Sequence, residues 1–300
     1  MAMLLDGKKI SQKVLDELRP EIEGLNARLY PHKLRLDILM VGDHPPSLTF
    51  VRRKKEIGES LGIRVKVHHF SAGIPLRQVS VKDISSNQLR EEVNRICKNR
   101  LVHGVLVQLP LPAHLNEQSI LNIVPESKDV DVLGKDACGK FYTETELILP
   151  STLAGILRLL QEYGISDFVG KNVVVVGAGK LVGKPAINYF MRKGVSASAF
   201  NIRSKTSDKE TYLRNADIII SGAGVAGLIT GDWVKEGVIV VDAGTSKDPQ
   251  TGKLVGDADF ATVAPKASYT TPVPGGVGPM TVAMIFYNLV QLAKQRYRIE

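Results

Sequence analysis

One lysine occupies a position where a charged side chain is unexpected. Residues 48–61 read as an amphipathic helix, and Lys54 falls inside its apolar stripe, one turn after Phe50. Such a lysine can lay its methylene stem on apolar surface and extend the amine into water. Alternatively, it holds its amine away from water with a lowered pKa, ready to exchange a proton. The helix alone leaves both interpretations open.

Two other predicted elements carry polar residues that could assist an amine. A buried strand over residues 104–108 ends in Gln108, directly before a Leu-Pro-Leu-Pro stop. Because the carboxyl end of a parallel strand faces the ligand crevice, Gln108 could orient an amine or a substrate carbonyl. It could equally bond to a loop. Residues 128–131, Lys-Asp-Val-Asp, form a polar loop with two acids, a pattern that is ordinarily a solvated turn.

A glycine turn indicates a second kind of chemistry. Residues 173–183 read Val-Val-Val-Val-Gly-Ala-Gly-Lys-Leu-Val-Gly, which predicts a buried strand, a turn and a helix start. Gly177 permits the tight turn, and Gly179 lets a phosphate approach the backbone. The spacing is one residue longer than the usual dinucleotide fingerprint, and a plain structural turn is the alternative. The strand before and the helix after favour a cofactor.

The end of the next strand bears on which cofactor is bound. Acidic residues about 20 positions after the turn usually bind a free ribose 2′-hydroxyl. Residues 200–206, Phe-Asn-Ile-Arg-Ser-Lys-Thr, contain no acid and offer two cations and two hydroxyls. These groups suit a 2′-phosphate, so NADP is preferred over NAD. A solvated basic loop is the alternative interpretation.

Composition excludes several classes of protein. The 300 residues are 44% hydrophobic, and their formal net charge is +8. No apolar run approaches the roughly 18 residues of a membrane span, and no targeting segment is recognised, so we expect a cytoplasmic protein. Cys97 and Cys138 and the six histidines lack disulfide or metal spacing, and we expect no metal. Scattered basic residues with few aromatics favour an anionic small ligand over nucleic acid.

Strand-like and helix-like runs alternate along both halves of the chain. Strands are predicted over residues 36–41, 64–70, 104–108, 173–176, 197–200, 218–221 and 238–242. Helices are predicted over residues 48–61, 86–98, 153–163 and 184–192. This alternation predicts an α/β fold with parallel sheets in both halves. The predicted domain boundary lies near residues 148–152.

Five stretches together resemble one enzyme family. They are residues 5–8 (Leu-Asp-Gly-Lys), 107–110 (Val-Gln-Leu-Pro), 128–131 (Lys-Asp-Val-Asp), 256–257 (Gly-Asp) and 272–281 (Pro-Val-Pro-Gly-Gly-Val-Gly-Pro-Met-Thr). Over nearly the whole chain the sequence is similar to the bifunctional methylenetetrahydrofolate dehydrogenase/methenyltetrahydrofolate cyclohydrolase family. Lys54 falls where that family keeps its essential lysine.

The resemblance implies two α/β domains that flank a cleft, the second a Rossmann-like doubly wound parallel sheet. Residues 1–148, joined by a final helix over residues 281–300, would form the folate and catalytic domain, and residues 149–280 would bind NADP. The glycine-rich segment would line the cleft near the folate. Its glycines would let backbone approach the flat pterin, and its prolines would keep it rigid. A rigid interdomain turn is the alternative, and both can hold.

The resemblance also implies two reactions: NADP-dependent oxidation of methylenetetrahydrofolate, then hydrolysis of the methenyl product to 10-formyltetrahydrofolate. Lys54 would transfer the proton, and Gln108 would hold the Lys54 amine in place. Asp131 would hydrogen-bond the pterin. The implied folate-binding residues are Phe50, Lys54, Val107, Gln108, Leu109, Asp131, Pro274, Gly275, Gly276 and Val277. The implied NADP contacts are Gly177, Ala178, Gly179, Arg203, Ser204 and Thr245. A cytoplasmic homodimer that serves one-carbon metabolism and purine biosynthesis is also implied.

Several residues depart from the family pattern. Phe50 replaces the usual tyrosine and lacks its hydroxyl, Val132 replaces a glycine, and Ser151 and Leu153 alter a Pro-Cys-Thr-Pro motif. Ala178 stands where many relatives have arginine, and Arg203 could compensate. Because the hydroxyl is missing at position 50, we expect a slowed enzyme. The alternatives are a monofunctional or weakened family member, or a protein that binds ligands or nucleic acid without catalysis.

Overall fold

The computed structural model describes residues 2–71, 84–201, 203–248 and 251–299. The chain forms two compact units, which we call the first unit (Val14–Leu149 and Ile285–Glu300) and the second unit (Met1–Lys13 and Pro150–Met284). This division differs from the predicted domains in residues 1–13 and 281–284, which lie in the second unit, and in residue 149, which lies in the first. Residues 1–13 belong to the second unit because a strand at Met3–Leu4 pairs with Tyr269–Thr270.

Strands and helices alternate over residues 35–107 as the sequence predicts, and elements that were not predicted precede and follow this region. In chain order, the elements up to residue 149 are β1 (Met3–Leu4), α1 (Gly7–Leu29), β2 (Arg35–Val41), α2 (Pro45–Ser60), β3 (Arg64–Phe70), α3 (Ser86–Lys98), β4 (Gly104–Val107), α4 (Glu117–Leu121) and α5 (Lys135–Tyr142). A short 3₁₀ turn, Glu126–Lys128, lies between α4 and α5.

The second half contains most of the remaining strands and ends in a long helix. Its elements are α6 (Ser151–Glu162), β5 (Asn172–Val176), α7 (Gly183–Arg192), β6 (Ser196–Phe200), α8 (Thr206–Asn215), β7 (Ile218–Ser221), β8 (Ile239–Asp242), β9 (Ser246–Lys247), β10 (Leu254–Val255), α9 (Phe260–Val263), β11 (Tyr269–Thr270) and α10 (Val277–Tyr297). A second 3₁₀ turn covers Gly231–Trp233.

The sheet of the first unit has three parallel strands in the order β3-β2-β4. All seven residues of β2 are buried; five are apolar, and the other two, Arg35 and Asp37, bond to each other. From β2 the chain passes to β3 on one side and later to β4 on the other. The carboxyl ends of β2 and β4 therefore form a topological switch point, where open α/β sheets bind their ligands.

The main sheet of the second unit has six strands in the order β1-β11-β8-β7-β5-β6, all parallel. The chain leaves β5 for β6 on one side and then returns to β7 on the other. A second switch point therefore lies at the carboxyl ends of β5 and β7. The predicted α/β class, with a Rossmann-like second unit, is confirmed.

Local sequence explains where two helices begin. Ser85 caps α3, accepting from the backbone N–H of Gln88 while the Gln88 side chain bonds the backbone N–H of Ser85, and the predicted bounds of α3 match the structure. Helix α2 begins three residues earlier than predicted, because Pro45 and Pro46 fit the first turn, where no backbone donor is needed. Strand β4 ends at Val107, one residue before the predicted end.

The described residues contain neither a candidate membrane span nor a candidate metal cluster. In residues 2–71, 84–201, 203–248 and 251–299, no helix is both long and apolar enough to cross a membrane. Within the same ranges, no group of three or more histidine, cysteine, aspartate or glutamate side chains could hold a metal ion. Neither cysteine forms a disulfide; Cys97 is buried and Cys138 is exposed.

Candidate active site

Lys54 projects from the buried face of α2 and is only 8% exposed. The helix lies close to the sheet at this point, because a Cβ at Gly58 would come within 2.5 Å of Val65 Cγ2. Burial lowers the pKa of Lys54 below the ordinary 10.5, and the nearby Asp131 carboxylate partly opposes that shift. The sequence left open whether the amine extends into water or is held away from it. The structure favours the second interpretation.

Gln108 follows β4 directly and accepts a hydrogen bond from the Lys54 amine, with Nζ and Oε1 2.8 Å apart. Its backbone N–H donates to Leu39 O at 2.8 Å, which extends the pairing of β4 with β2. Its side-chain N–H donates to Leu109 O at 2.7 Å, so the amide orientation is fixed. An amide oxygen accepts the bond without adding a negative charge. Unlike a carboxylate, it therefore adds no full charge that would raise the pKa of Lys54.

In the Lys-Asp-Val-Asp loop, the first two residues stabilise the fold and the last lies near the candidate site. Lys128 donates to Cys97 O at 2.7 Å and Asn99 O at 2.8 Å, carbonyls at the end of α3. Burial raises the pKa of Asp129 to about 6. The backbone N–H groups that donate to its carboxylate lower the pKa but do not offset the burial. Asp131 is half-buried, and its charge acts on Lys54. The loop therefore places one carboxylate in the field of the buried amine.

The remaining predicted folate residues of the first unit differ in exposure. Phe50 lies one turn before Lys54 on α2 and is 39% exposed, so much of its ring is open to a ligand. Val107 is buried in β4, and Leu109 is half-buried after it. The structure thus brings Lys54, Gln108 and Asp131 together in one unit.

The predicted residues Pro274, Gly275, Gly276 and Val277 belong to the second unit, where they have their own packing. Lys8 donates its backbone N–H to Gly275 O at 3.0 Å, and Gly275 has φ of 120°, which favours glycine. A Cβ on Gly276 would lie 2.6 Å from Thr271 Cβ. These contacts account for both glycines without a ligand. Val277 is the first residue of α10.

The glycine turn between β5 and α7 closes tightly on itself. Gly177 has φ of 100°, and a Cβ there would lie 2.6 Å from Gly222 O. A Cβ on Gly183 would lie 1.7 Å from Gly177 O, which excludes any side chain. Ala178 and Gly179 are exposed, and a Cβ on Gly179 would meet nothing nearer than 4.0 Å. The turn has the room for a phosphate that a dinucleotide requires.

The loop after β6 presents the predicted cation and hydroxyl. Asn201 organises it: its side chain accepts from the Arg203 N–H at 2.8 Å, and its own N–H donates to Ser204 Oγ at 3.1 Å. The Arg203 side chain is exposed, and Ser204 is half-buried. Thr245 is also exposed and follows β8. Ile202 lies outside the described residues.

A cavity of about 770 Å³ lies at the carboxyl edge of the same sheet. Its walls come from residues that follow β7, β8 and β11 and from the β10–α9 region. They are Ala226, Gly227, Asp242, Asp248, Val255, Gly256, Ala258, Asp259, Phe260, Ala261, Thr271, Pro272 and Val273. None of the predicted cofactor residues, Gly177, Ala178, Gly179, Arg203, Ser204 and Thr245, lines this cavity, so the cavity does not by itself locate the cofactor.

Two buried carboxylates beside this cavity were given no role from the sequence. Asp257 accepts from Ser221 Oγ at 2.6 Å, Ala223 N at 2.6 Å and Val225 N at 2.9 Å, so it shapes the loop after β7. Burial raises the pKa of Asp242 to about 6. Asp257 lies in the Gly-Asp stretch that contributes to the family resemblance, and Asp242 ends an apolar strand, but neither signal names the backbone donors.

Comparison with known proteins assigns the chain to a family. Residues 150–297 match the NAD(P)-binding domain of tetrahydrofolate dehydrogenase/cyclohydrolase, and residues 5–131 match the catalytic domain of the same family. With these matches and the relatives below, the chain belongs to the tetrahydrofolate dehydrogenase/cyclohydrolase family.

Individual relatives agree over the full length. The bifunctional protein FolD of Campylobacter jejuni is 41% identical over 294 residues, which cover 98% of this chain and 99% of that protein. The crystal structure of a Campylobacter jejuni FolD has a TM-score of 0.90 at 40% identity and covers 99% of this chain and 100% of its own. The Trypanosoma brucei enzyme, complexed with NADP cofactor and inhibitor, has a TM-score of 0.91 at 30% identity and covers 99% of each chain.

Proposed function

We propose that the protein oxidises methylenetetrahydrofolate to methenyltetrahydrofolate with NADP and hydrolyses the methenyl product to 10-formyltetrahydrofolate. The family membership supports both steps, since its matched domains are named for a dehydrogenase and a cyclohydrolase. The observation that carries the proposal is the buried amine of Lys54, 2.8 Å from Gln108 Oε1.

Hydrolysis requires a group that takes a proton and gives one back. With its lowered pKa, Lys54 accepts a proton from the water that attacks the methenyl carbon. It then returns a proton to the pterin nitrogen as the carbon–nitrogen bond breaks, and the added hydroxyl loses its proton to solvent as the formyl group forms. Gln108 holds the amine in place. Asp131 bonds the pterin, and Phe50, Val107 and Leu109 contact the folate.

The second unit holds the cofactor. When bound, NADP accepts the hydride that the methylene group loses. Gly177, Ala178 and Gly179 contact its phosphates, Arg203 and Ser204 its 2′-phosphate, and Thr245 lies along it. Pro274, Gly275, Gly276 and Val277 contact the folate. The room around Gly179 and the exposed Arg203 support these assignments.

Separate assays of both steps test this function. The purified protein should reduce NADP⁺ when given methylenetetrahydrofolate, and it should accelerate the decay of methenyltetrahydrofolate without any nicotinamide present. NAD⁺ should support the first reaction less well. A protein that binds folate and NADP but catalyses neither step would contradict the proposal.

Phe50→Tyr is expected to accelerate at least one of the two steps. A hydroxyl that bonds to a charged group contributes roughly 1.5–3 kcal/mol, or about 10- to 150-fold in rate. We expect an effect near tenfold, because Phe50 is 39% exposed and water competes for the hydroxyl. Phe50→Leu serves as the control, since it removes the ring and should weaken folate binding. Rates for Phe50→Tyr that equal those of the parent would contradict the expectation.

Arg203→Ala is expected to weaken NADP relative to NAD by about tenfold or more, because a charge-assisted bond to the 2′-phosphate is lost. The measurement is kcat/KM for each nicotinamide in the oxidation of methylenetetrahydrofolate. Arg214→Ala, an exposed cation in the last turn of α8, is the matched control and should alter neither value. Equal losses with NADP and NAD would remove Arg203 from the 2′-phosphate site.

Three further properties are expected from the sequence and from its family resemblance. The protein acts in the cytoplasm, forms a homodimer and supplies one-carbon units that include those for purine biosynthesis. Light scattering on the eluted protein would test the dimer, and fractionation of the source cells would test the location. Loss of the gene should create a need for purines or formate if the metabolic assignment is right.

A further inference from the structure

The loop that carries Asp131 is held from inside by Asp129. The Asp129 carboxylate accepts backbone N–H groups from Asp131 at 3.2 Å, Leu133 at 2.9 Å and Gly134 at 2.7 Å. This wraps residues 129–134 around one buried side chain. The wrapping fixes the course of the loop but leaves the carbonyl of Val130, just before Asp131, to be held by another group.

That other group is the side-chain amide of Asn288 on α10. Its Nδ2 donates to Val130 O at 2.8 Å and to Leu149 O at 2.9 Å, and the residue is only 1% exposed. Val130 and Val132 are buried on either side of the half-buried Asp131. Residues 130 and 132 therefore anchor the loop, and Asp131 between them is partly accessible.

The backbone conformation indicates that the surrounding contacts hold this part of the loop. Val132 has φ of 57°, a left-handed conformation that β-branched residues seldom adopt. Such a conformation persists only where surrounding contacts impose it. The Asn288 bond to Val130 O lies two residues from this point, and it links the loop to a helix 158 residues away in sequence.

We propose that Asn288 is a positioning residue that acts through Asp131. It fixes the peptide before Asp131 and so sets where that carboxylate lies relative to Lys54 and the bound pterin. The inference rests on the proposed function, because Asp131 is there assigned to the folate. It adds a residue of the last helix to the machinery of the first unit, although Asn288 touches no substrate.

A double-mutant cycle tests this role. Asn288→Leu removes both donors at similar volume and should lower kcat/KM for methenyl hydrolysis by about 10- to 100-fold, the usual cost of a small misplacement of a reacting group. In an Asp131→Ala background the same substitution should change kcat/KM by less than about twofold. Equal losses in both backgrounds, or no loss in the parent, would overturn the proposal.

Two controls separate positioning from stability. Val290→Ala, also buried on α10, should lower the melting temperature without changing kcat. Should Asn288→Leu fail to fold, Asn288→Ser keeps one donor, and the same non-additivity with Asp131→Ala is expected. A parent protein that lacks both activities would refute the proposed function itself. An active parent with additive losses would refute only the role of Asn288.

Discussion

Lys54→Met is expected to lower the rate of methenyl hydrolysis by about 10²- to 10⁴-fold, the usual contribution of a positioned acid or base. Methionine keeps an unbranched side chain of similar length but cannot move a proton. The amine it replaces is 8% exposed and 2.8 Å from Gln108 Oε1, so solvent is poorly placed to substitute. Stopped assays of methenyl decay over a range of pH would measure the loss.

Lys55→Met is the matched control for this prediction. Lys55 is the next residue on α2, and its side chain is exposed, 3.8 Å from Glu59 Oε1. Its replacement should leave both reactions near the parental rate. If Lys55→Met and Lys54→Met were equally damaging, the loss would reflect the helix and not the buried amine.

Protein stability offers a second readout of the same amine. Because burial lowers the pKa of Lys54, the unfolded chain binds more protons than the folded one between that lowered pKa and the ordinary 10.5. The free energy of unfolding of the parent should therefore rise with pH across that window, relative to Lys54→Met. Denaturant titrations at several pH values would detect it, and parallel curves for the two proteins would contradict the lowered pKa.

Asp37→Asn is expected to destabilise the first unit by about 3–5 kcal/mol, because it leaves a buried arginine without its counter-charge. Arg35 donates two hydrogen bonds to the Asp37 carboxylate, at 2.6 and 2.8 Å. His68 Nε2 lies 2.7 Å from the same carboxylate. Asp37 is fully buried and Arg35 nearly so. Urea unfolding at neutral pH measures the difference.

The pH dependence of this pair has a definite sign. Burial alone would raise the pKa of Asp37, but the bonds and charges of His68 and Arg35 outweigh it and hold the pKa below 3.8. The stabilisation is therefore complete above the unfolded value and is lost as the pH falls below it. Asp37→Asn should remove that part of the acid sensitivity.

Two comparisons make the Asp37 prediction specific. Asp16→Asn removes one partner of an exposed pair with Arg19 at 3.2 Å and should cost at most about 1 kcal/mol. Replacing Arg35 and Asp37 together by apolar residues should restore much of the loss, since no charge is then left buried. A loss below about 1 kcal/mol for Asp37→Asn would show that the Arg35–Asp37 pair does not stabilise the folded core.

The sequence predicted those features that depend on local pattern. The buried strands, the bounds of α3 and the placement of Lys54 in an apolar stripe all follow from residue type and spacing. The contact between Lys54 and Gln108 came only with the family resemblance, since helix and strand periodicity do not say which helix faces which strand end.

Other features depend on contacts between distant parts of the chain. Asn288 meets Val130 across 158 residues, and the two-residue strand β1 pairs with β11 near the other end of the chain. Neither has a periodic signal. The same holds for Asp257, whose partners are mainly backbone N–H groups that any residue could supply. The departure at Val132 was visible, but its left-handed φ required the fold.

The most direct test of the central claim is an NMR titration of isotope-labelled lysine amines, with the Lys54 signal assigned by its loss in Lys54→Met. The pKa of Lys54 should lie below 10.5, and its signal should shift when a tetrahydrofolate analogue binds. An amine that titrates at or above 10.5 and does not respond to the analogue would contradict the claim that Lys54 is a buried proton carrier beside the folate.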